Sequence, residues 1–313
     1  MLSRFRQLFT LTTLLALSSL YADTNGYLGA DVYVSRWQMG FASGKSMTYM
    51  NVPVKTNSPN PLIYMAGLSF SVVRNKLWAL TYQGEVGTAK ATIEMAGYDQ
   101  NSQNQNLMNF NAATTILRTD HSLSVSRALG HTGLSIYAGG KLQMFGYNQP
   151  DSTLTMSGYG VAGTSNTTYS VVTSTYASKK NMLNYGPAVG LGYQFKIFAK
   201  SYMSIQAGFI YFIGEHTENL GVTMGTNTTK VSQLEKYNGI GFTALLSYII
   251  PTSGNLFIQI SARMQYYKTR TENATVSFTE NGINRPTESV PGALDNAIDI
   301  LTGLQVAAIY RVF

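Results

Sequence analysis

The chain contains no cysteine. That excludes disulfides, thiolate metal sites and a cysteine nucleophile. It also removes the residue on which a bacterial lipid anchor would be built. Histidine is scarce: His121, His131 and His216 are the whole supply, too few and too scattered for a zinc site. Charged residues make up only 12% of the 313, about half the level of a typical soluble domain. The net charge of +7 is spread without any Lys/Arg-rich run, so no nucleic-acid partner is expected. No glycine-rich phosphate loop is present, and nothing calls for a cofactor. Long apolar runs are missing as well. The most apolar stretch, residues 244–250, falls far short of the roughly 18 residues that a membrane-spanning helix needs.

What remains is a chain of ordinary hydrophobic content, 44%, whose polarity comes from Ser, Thr, Asn, Gln, 21 Tyr and 29 Gly. Uncharged polar residues alternating with apolar ones suit a wall with lipid on one side and water on the other. Such a wall, lacking spanning helices, must close into a barrel, because open backbone groups cannot be satisfied in lipid.

Residues 1–22 carry Arg4 and Arg6, then a short apolar stretch from Leu8 to Leu20, then Leu20-Tyr21-Ala22. This is the layout of a secretory signal peptide cleaved after Ala22, an imperfect small-residue site. Removal of that segment takes the net charge from +7 to +5. The barrel domain is then expected over residues 23–313.

Ten segments alternate with period two. They fall at 27–37, 62–73, from 77 onward, 113–128, 134–145, 182–197, 202–214, 237–250, around 258–266, and 297–312. In the sixth, Leu183, Tyr185, Val189, Leu191, Tyr193 and Phe195 share one face, opposite small and polar residues. In the ninth, Ile258, Ile260, Ala262, Met264 and Tyr266 oppose Gln259, Ser261, Arg263 and Gln265. Short turns at 74–76, 129–132, 198–200 and 251–255 alternate with long polar links near 40–60, 95–112, 147–180, 215–236 and 270–296. Aromatic residues gather at strand ends. Trp78, Tyr193, Phe195, Tyr202, Tyr248 and Tyr310 sit toward the short turns, and Tyr64, Tyr147, Tyr185, Tyr237 and Tyr266 toward the long links.

The expected fold is therefore an all-β, antiparallel, up-and-down transmembrane barrel of about ten strands, with short periplasmic turns and long extracellular loops. It resembles the Gram-negative outer-membrane barrels. The terminal Tyr310-Arg311-Val312-Phe313 adds to the likeness, since Phe313 matches the final aromatic residue of barrel-assembly signals. Arg311 departs from that pattern where a second aromatic is usual. The resemblance implies an outer-membrane location, lipid and lipopolysaccharide around the wall, and recognition of Phe313 by the barrel-assembly machinery.

Counting up each strand from its short-turn end places Glu85, Asp120, Lys141, Arg263 and Gln305 about eight residues high, with Arg118 two residues higher. All point away from the lipid by parity. Six such groups inside a ten-stranded lumen predict a charged constriction, either a selective filter for small solutes or a polar core. Chemistry is harder to find. Asp120-His121-Ser122 has triad composition, but neighbours on a strand point to opposite faces, leaving His121 toward lipid. Glu215-His216 sits at a rim. Outer-membrane proteases of the omptin kind resemble this architecture and use an Asp pair with an Asp–His pair, yet no D-x-D occurs here and no acidic partner on another strand is evident. A lipid-A deacylase-like hydrolase using Ser and His is a further alternative. Residues 151–178 are nearly uncharged and Thr/Ser/Tyr-rich, as in an adhesin acting through a surface hairpin. Asn166, Asn227 and Asn273 head N-x-S/T sequons, read here as surface-loop composition. The leading expectation is a narrow channel or a surface barrel without enzymatic activity.

Overall fold

A computed structural model describes residues 24–40, 47–49, 52–56, 60–98, 106–156, 172–198, 200–224, 227–252, 254–290, 292 and 294–313. The expected signal peptide, Asn166, Ser253 and the centre of the 151–178 segment lie outside the described residues.

Ten long strands form the wall: β1 (Thr24–Gln38), β4 (Leu62–Arg74), β5 (Trp78–Tyr98), β6 (Asn106–Ala128), β7 (Leu134–Met156), β8 (Val172–Lys196), β9 (Tyr202–Met224), β10 (Asn227–Pro251), β11 (Leu256–Glu280) and β14 (Ile298–Arg311). Four short ones, β2 (Met47–Tyr49), β3 (Val52–Thr56), β12 (Ile283–Asn284) and β13 (Glu288–Ser289), sit in the long connections. Successive wall strands pair antiparallel, and β1 zips to β14 from Tyr27↔Arg311 to Gln38↔Ile300, closing the barrel. Closure leaves no open edge in the wall. Residues Arg74 to Leu77 show why the short turns are tight. Asn75 and Lys76 adopt φ of 52° and 56°, and Leu77 N–H donates to the Arg74 carbonyl at 3.1 Å. Two residues of positive φ give the mirror-image turn whose twist suits a hairpin.

Strand β1 shows the two-sidedness directly. Leu28, Val32 and Val34 face outward and exposed, while Asp31, Tyr33, Ser35 and Trp37 face inward and buried. Outward Trp78, Tyr193, Tyr202 and Tyr310 mark the short-turn edge of the apolar band, and Tyr64, Tyr185 and Tyr211 the opposite edge. Tyr237 is a correction to the second girdle: it points inward and is 1% exposed. Its odd number puts it on the lumen face of β10, opposite the Ile240, Phe242 and Leu246 side. The band ends beyond Ile213 and Ile240, where the outward positions become Glu215 on β9 and Lys236 on β10, directly paired.

The upper half of the barrel also departs from expectation. Among the described residues, the stretches read as long links are strand at 95–98, 106–112, 147–156, 172–180, 215–224, 227–236 and 270–280, so that β8, β10 and β11 reach 25 residues each. Above the membrane both faces of a hairpin meet water, so the apolar/polar alternation that marks a strand fades. At the other end the chain terminus is tied in. Gly26 N–H donates to the Phe313 carbonyl at 2.9 Å, and Val312 N–H donates to the Gly26 carbonyl at 2.8 Å. The Phe313 ring lies over Gly26, where a Cβ would come within 2.5 Å of it.

Candidate functional site: a charged layer and a buried rim cluster

The six expected lumen residues all point inward and meet in one layer. Antiparallel register sets Glu85 opposite Asp120, and Asp120 opposite Gln143. From across the barrel, Arg263 Nη1 donates to both Glu85 oxygens at 2.6 Å, and its Nη2 lies 4.0 Å from Asp120. Gln305 and Gln83 add donors to Glu85 at 3.2 and 2.7 Å. Arg118 is wholly buried. It donates to both Asp120 oxygens at 3.1 and 3.0 Å and to Gln265 at 3.0 Å, and lies 3.6 Å from Asp299. Its guanidinium packs against Trp37 and Phe145, 4.9 and 4.7 Å from ring centres that themselves lie 5.3 Å apart, a cation–π contact with both rings from one side. Lys141 donates to the Tyr267 hydroxyl at 2.9 Å.

Several members of this layer were not anticipated. Asp31 and Asp299 bring the carboxylates to four, against three cations, and Gln143, Gln265, Tyr33, Trp37 and Tyr267 complete the packing. Asp31 was readable, since it lies on the inward parity of β1 only two residues from Tyr33. Asp299 was not: it starts the last strand, and strand tilt and shear carry it to the level of Arg118. At this height the lumen is filled. Glu85, Arg118 and Asp120 are 2%, 0% and 3% exposed. Below lies a zone of small hydroxyl residues, such as Ser71 with Thr81 and Ser247 with Ser261.

An apolar layer sits directly above the charges. Trp37, Met39, Phe145, Met182, Phe212, Tyr267 and Leu294 belong to it. It encloses a cavity of about 20 Å³, room for a single water. Leu294 comes from the connection between β13 and β14. Residues 294–297 fold into the barrel mouth, with Asn296 N–H bonded to the Thr269 carbonyl at 2.9 Å and Thr269 N–H to the Ala297 carbonyl at 3.0 Å.

At the rim, on the rung where Glu215 and Lys236 mark the end of the lipid band outside, His216 and Glu235 face each other inside. The acidic partner missing from the sequence reading is therefore Glu235, brought alongside by the β9–β10 register. His216 Nδ1 is 3.5 Å from Glu235 Oε2, and its Nε2 is 3.7 Å from Glu218 Oε2; Lys180 Nζ is 3.4 Å from the same Glu218 oxygen. Both His216 nitrogens and Glu235 Oε2 are buried without a hydrogen bond. Burial, then the Lys180 charge, holds the His216 imidazole below its usual range, so it is neutral at neutral pH. Burial works against the Glu235 charge, but the His216 ring, the Thr271 hydroxyl and the Leu294 amide outweigh it and hold the carboxyl below its usual range. Glu215 itself points outward.

The other candidates separate. His121 faces the lipid and stacks on Tyr82, whose hydroxyl lies 3.0 Å from its Nδ1. Asp120 and Ser122 point into the lumen, so the three residues share no site. His131 lies exposed in the β6–β7 turn. Among the described residues no group of three His, Asp or Glu side chains is arranged to hold a metal.

No protein-family model and no curated protein matches the chain. Solved structures do. The outer-membrane protease OmpT of Escherichia coli superposes with a TM-score of 0.51 at 9% identity, over 92% of this chain and 95% of that one. The translocator domain of the autotransporter NalP from Neisseria meningitidis gives 0.35 at 7% identity, over 99% and 95%. The toluene transporter TodX of Pseudomonas putida gives 0.33 at 9% identity, over 95% and 91%. The fold is that of an outer-membrane β-barrel, a group whose members differ in function.

Proposed function

We propose that this protein is a sealed outer-membrane barrel that conducts no solute and acts through its extracellular mouth. The carrying observation is the closed charged layer. Of the two readings left open for the lumen, selective filter and polar core, the geometry favours the core. Every cation has a carboxylate or hydroxyl partner, and the layer is roofed by packed aromatic and aliphatic side chains. The hydrolase alternative draws less support, because His216 and Glu235 are both 0% exposed and meet no substrate in this conformation.

Two measurements test the reading. Purified protein added to planar bilayers is expected to give no conductance steps; steady ion-selective steps would restore the channel. The mature chain is expected in the outer-membrane fraction, resistant to alkaline extraction. Recovery as a soluble periplasmic protein would remove the membrane reading altogether.

A further inference from the structure

We propose that the mouth of the barrel carries a peptide-binding subsite for one leucine-sized residue, occupied in this structure by the chain's own Leu294. It rests on the sealed-barrel reading only in taking the mouth as the working end.

The wall reads every part of that residue. The Leu294 N–H donates to Glu235 Oε1 at 2.9 Å, and its carbonyl accepts from Thr269 Oγ1. Its side chain is 1% exposed and lines the small cavity together with Phe145, Met182 and Phe212. One wall group thus takes the main-chain donor, another takes the acceptor, and an apolar pocket takes the side chain. This combination recognises a residue of any peptide, because backbone groups are common to all and only the pocket selects. The carboxylate is set in advance. Thr271 Oγ1 donates to the same Oε1 that receives Leu294, while the other oxygen faces buried His216. A turn that merely needed anchoring has no use for a buried carboxylate backed by a buried imidazole. Glu235 Oε2 and His216 Nδ1 lie buried behind the subsite, 3.5 Å apart and without a closer hydrogen bond, a cost that a binding role explains. The ligand class is a short peptide presenting a leucine or similarly sized apolar residue with its main-chain N–H and carbonyl free.

The experiment uses full-length barrel in detergent micelles, with Leu294→Gly vacating the pocket. The probe is a fluorescently labelled hexapeptide of this chain's residues 292–297, Gly-Ala-Leu-Asp-Asn-Ala, read by anisotropy. In the wild type the tethered turn competes at an effective concentration on the order of millimolar. The variant is therefore expected to bind the peptide at least tenfold more tightly than wild type. A peptide with aspartate in place of leucine is expected to lose that gain, and adding Glu235→Ala to the variant is expected to weaken binding about tenfold. Heat-modifiable gel mobility verifies that each variant is a folded barrel. The proposal is overturned if the folded Leu294→Gly barrel binds no better than wild type, if leucine and aspartate peptides bind alike, or if Glu235→Ala leaves binding intact. Leu294 is then only a packing residue. Bilayer conductance is independent of all three results, so failure here leaves the sealed barrel standing.

Discussion

Arg263→Met is the most informative single change in the charged layer. Methionine keeps the apolar stem but deletes the guanidinium that spans the lumen to Glu85. Glu85 is 2% exposed and would be left with only Gln83 and Gln305 as donors, at 2.7 and 3.2 Å. Removing one partner of a buried ion pair costs about 3–5 kcal/mol, chiefly through the stranded charge. Asp120 is buffered, since Arg118 and Gln143 still serve it. The loss should therefore fall within that range rather than above it. Adding Glu85→Gln neutralises the stranded group at constant shape, and the double variant should recover to within about 1–2 kcal/mol of wild type, as replaced buried pairs commonly do. Urea unfolding from micelles, followed by fluorescence of Trp37 and Trp78, closes this double-mutant cycle, and bilayer recordings run on the same samples. The reasoning fails if Arg263→Met leaves stability within about 1 kcal/mol of wild type while cation-selective conductance appears. The layer would then be a filter and not a core.

Other expectations follow from the rim, the wall and the topology. As pH falls through about 6.5 the unfolded chain protonates His216, while the native imidazole, held lower by burial and Lys180, stays neutral. Stability should thus be complete above that pH and decline below it, with a further loss under about pH 4.5 as Glu235 is protonated in the unfolded chain first. His216→Gln should flatten the upper part of a urea-midpoint profile taken from pH 8 to 5, and an unchanged profile would refute the assignment. A Cβ at Gly208 would lie 1.9 Å from the Tyr137 hydroxyl, so Gly208→Ala should cost about 1–3 kcal/mol by overpacking. Tyr137→Phe should rescue most of that loss in the same unfolding assay, which no generic effect on the strand would do. A tag within residues 155–175 should be labelled on intact cells and one at residues 252–253 should not; the opposite pattern would invert the topology.

The wall was legible because its physics is local. Period-two alternation in segments such as 183–195 needs no knowledge of neighbouring strands, and parity alone pointed Glu85, Arg118, Asp120, Lys141, Arg263 and Gln305 inward. Everything that depends on register was harder to see. Glu235 stands beside His216 because Lys236 pairs with Glu215, a relation set by hairpin pairing across 18 intervening residues. Asp299 meets Arg118 through the shear of the whole barrel. Leu294 was hidden for another reason: it lies in a Gly- and Pro-containing connection with no periodicity, and its burial comes from a turn folding inward. Hairpins above the lipid band were mistaken for loops because water on both faces erases the pattern.

Register also supplies a reason for charges where leucines would pack as well. A slip of one residue in any wall strand turns its inward face toward lipid. For β6 that would expose Arg118, Asp120, Ser122 and Ser124 to the bilayer, and an Arg or Lys facing lipid at the midplane costs about 2–4 kcal/mol. A slip of two keeps the faces but separates Arg118 from its partners on other strands, Gln265 and Asp299, and strands their buried polar groups. An apolar lumen would penalise neither slip so steeply. In an Asp31→Asn, Asp299→Asn background, which leaves no carboxylate without its cation, converting Glu85, Arg118, Asp120 and Arg263 together to Leu or Met should therefore leave the correctly closed barrel about as stable as that background, while lowering the fraction that reaches it. Refolding into micelles, scored by heat-modifiable mobility and by cysteine pairs engineered across the β1–β14 seam, measures both quantities. A quadruple variant that assembles in full yield with one seam register would show that the charges set no register, and one that closes correctly but melts several kcal/mol earlier would show that they act as stabilisers instead.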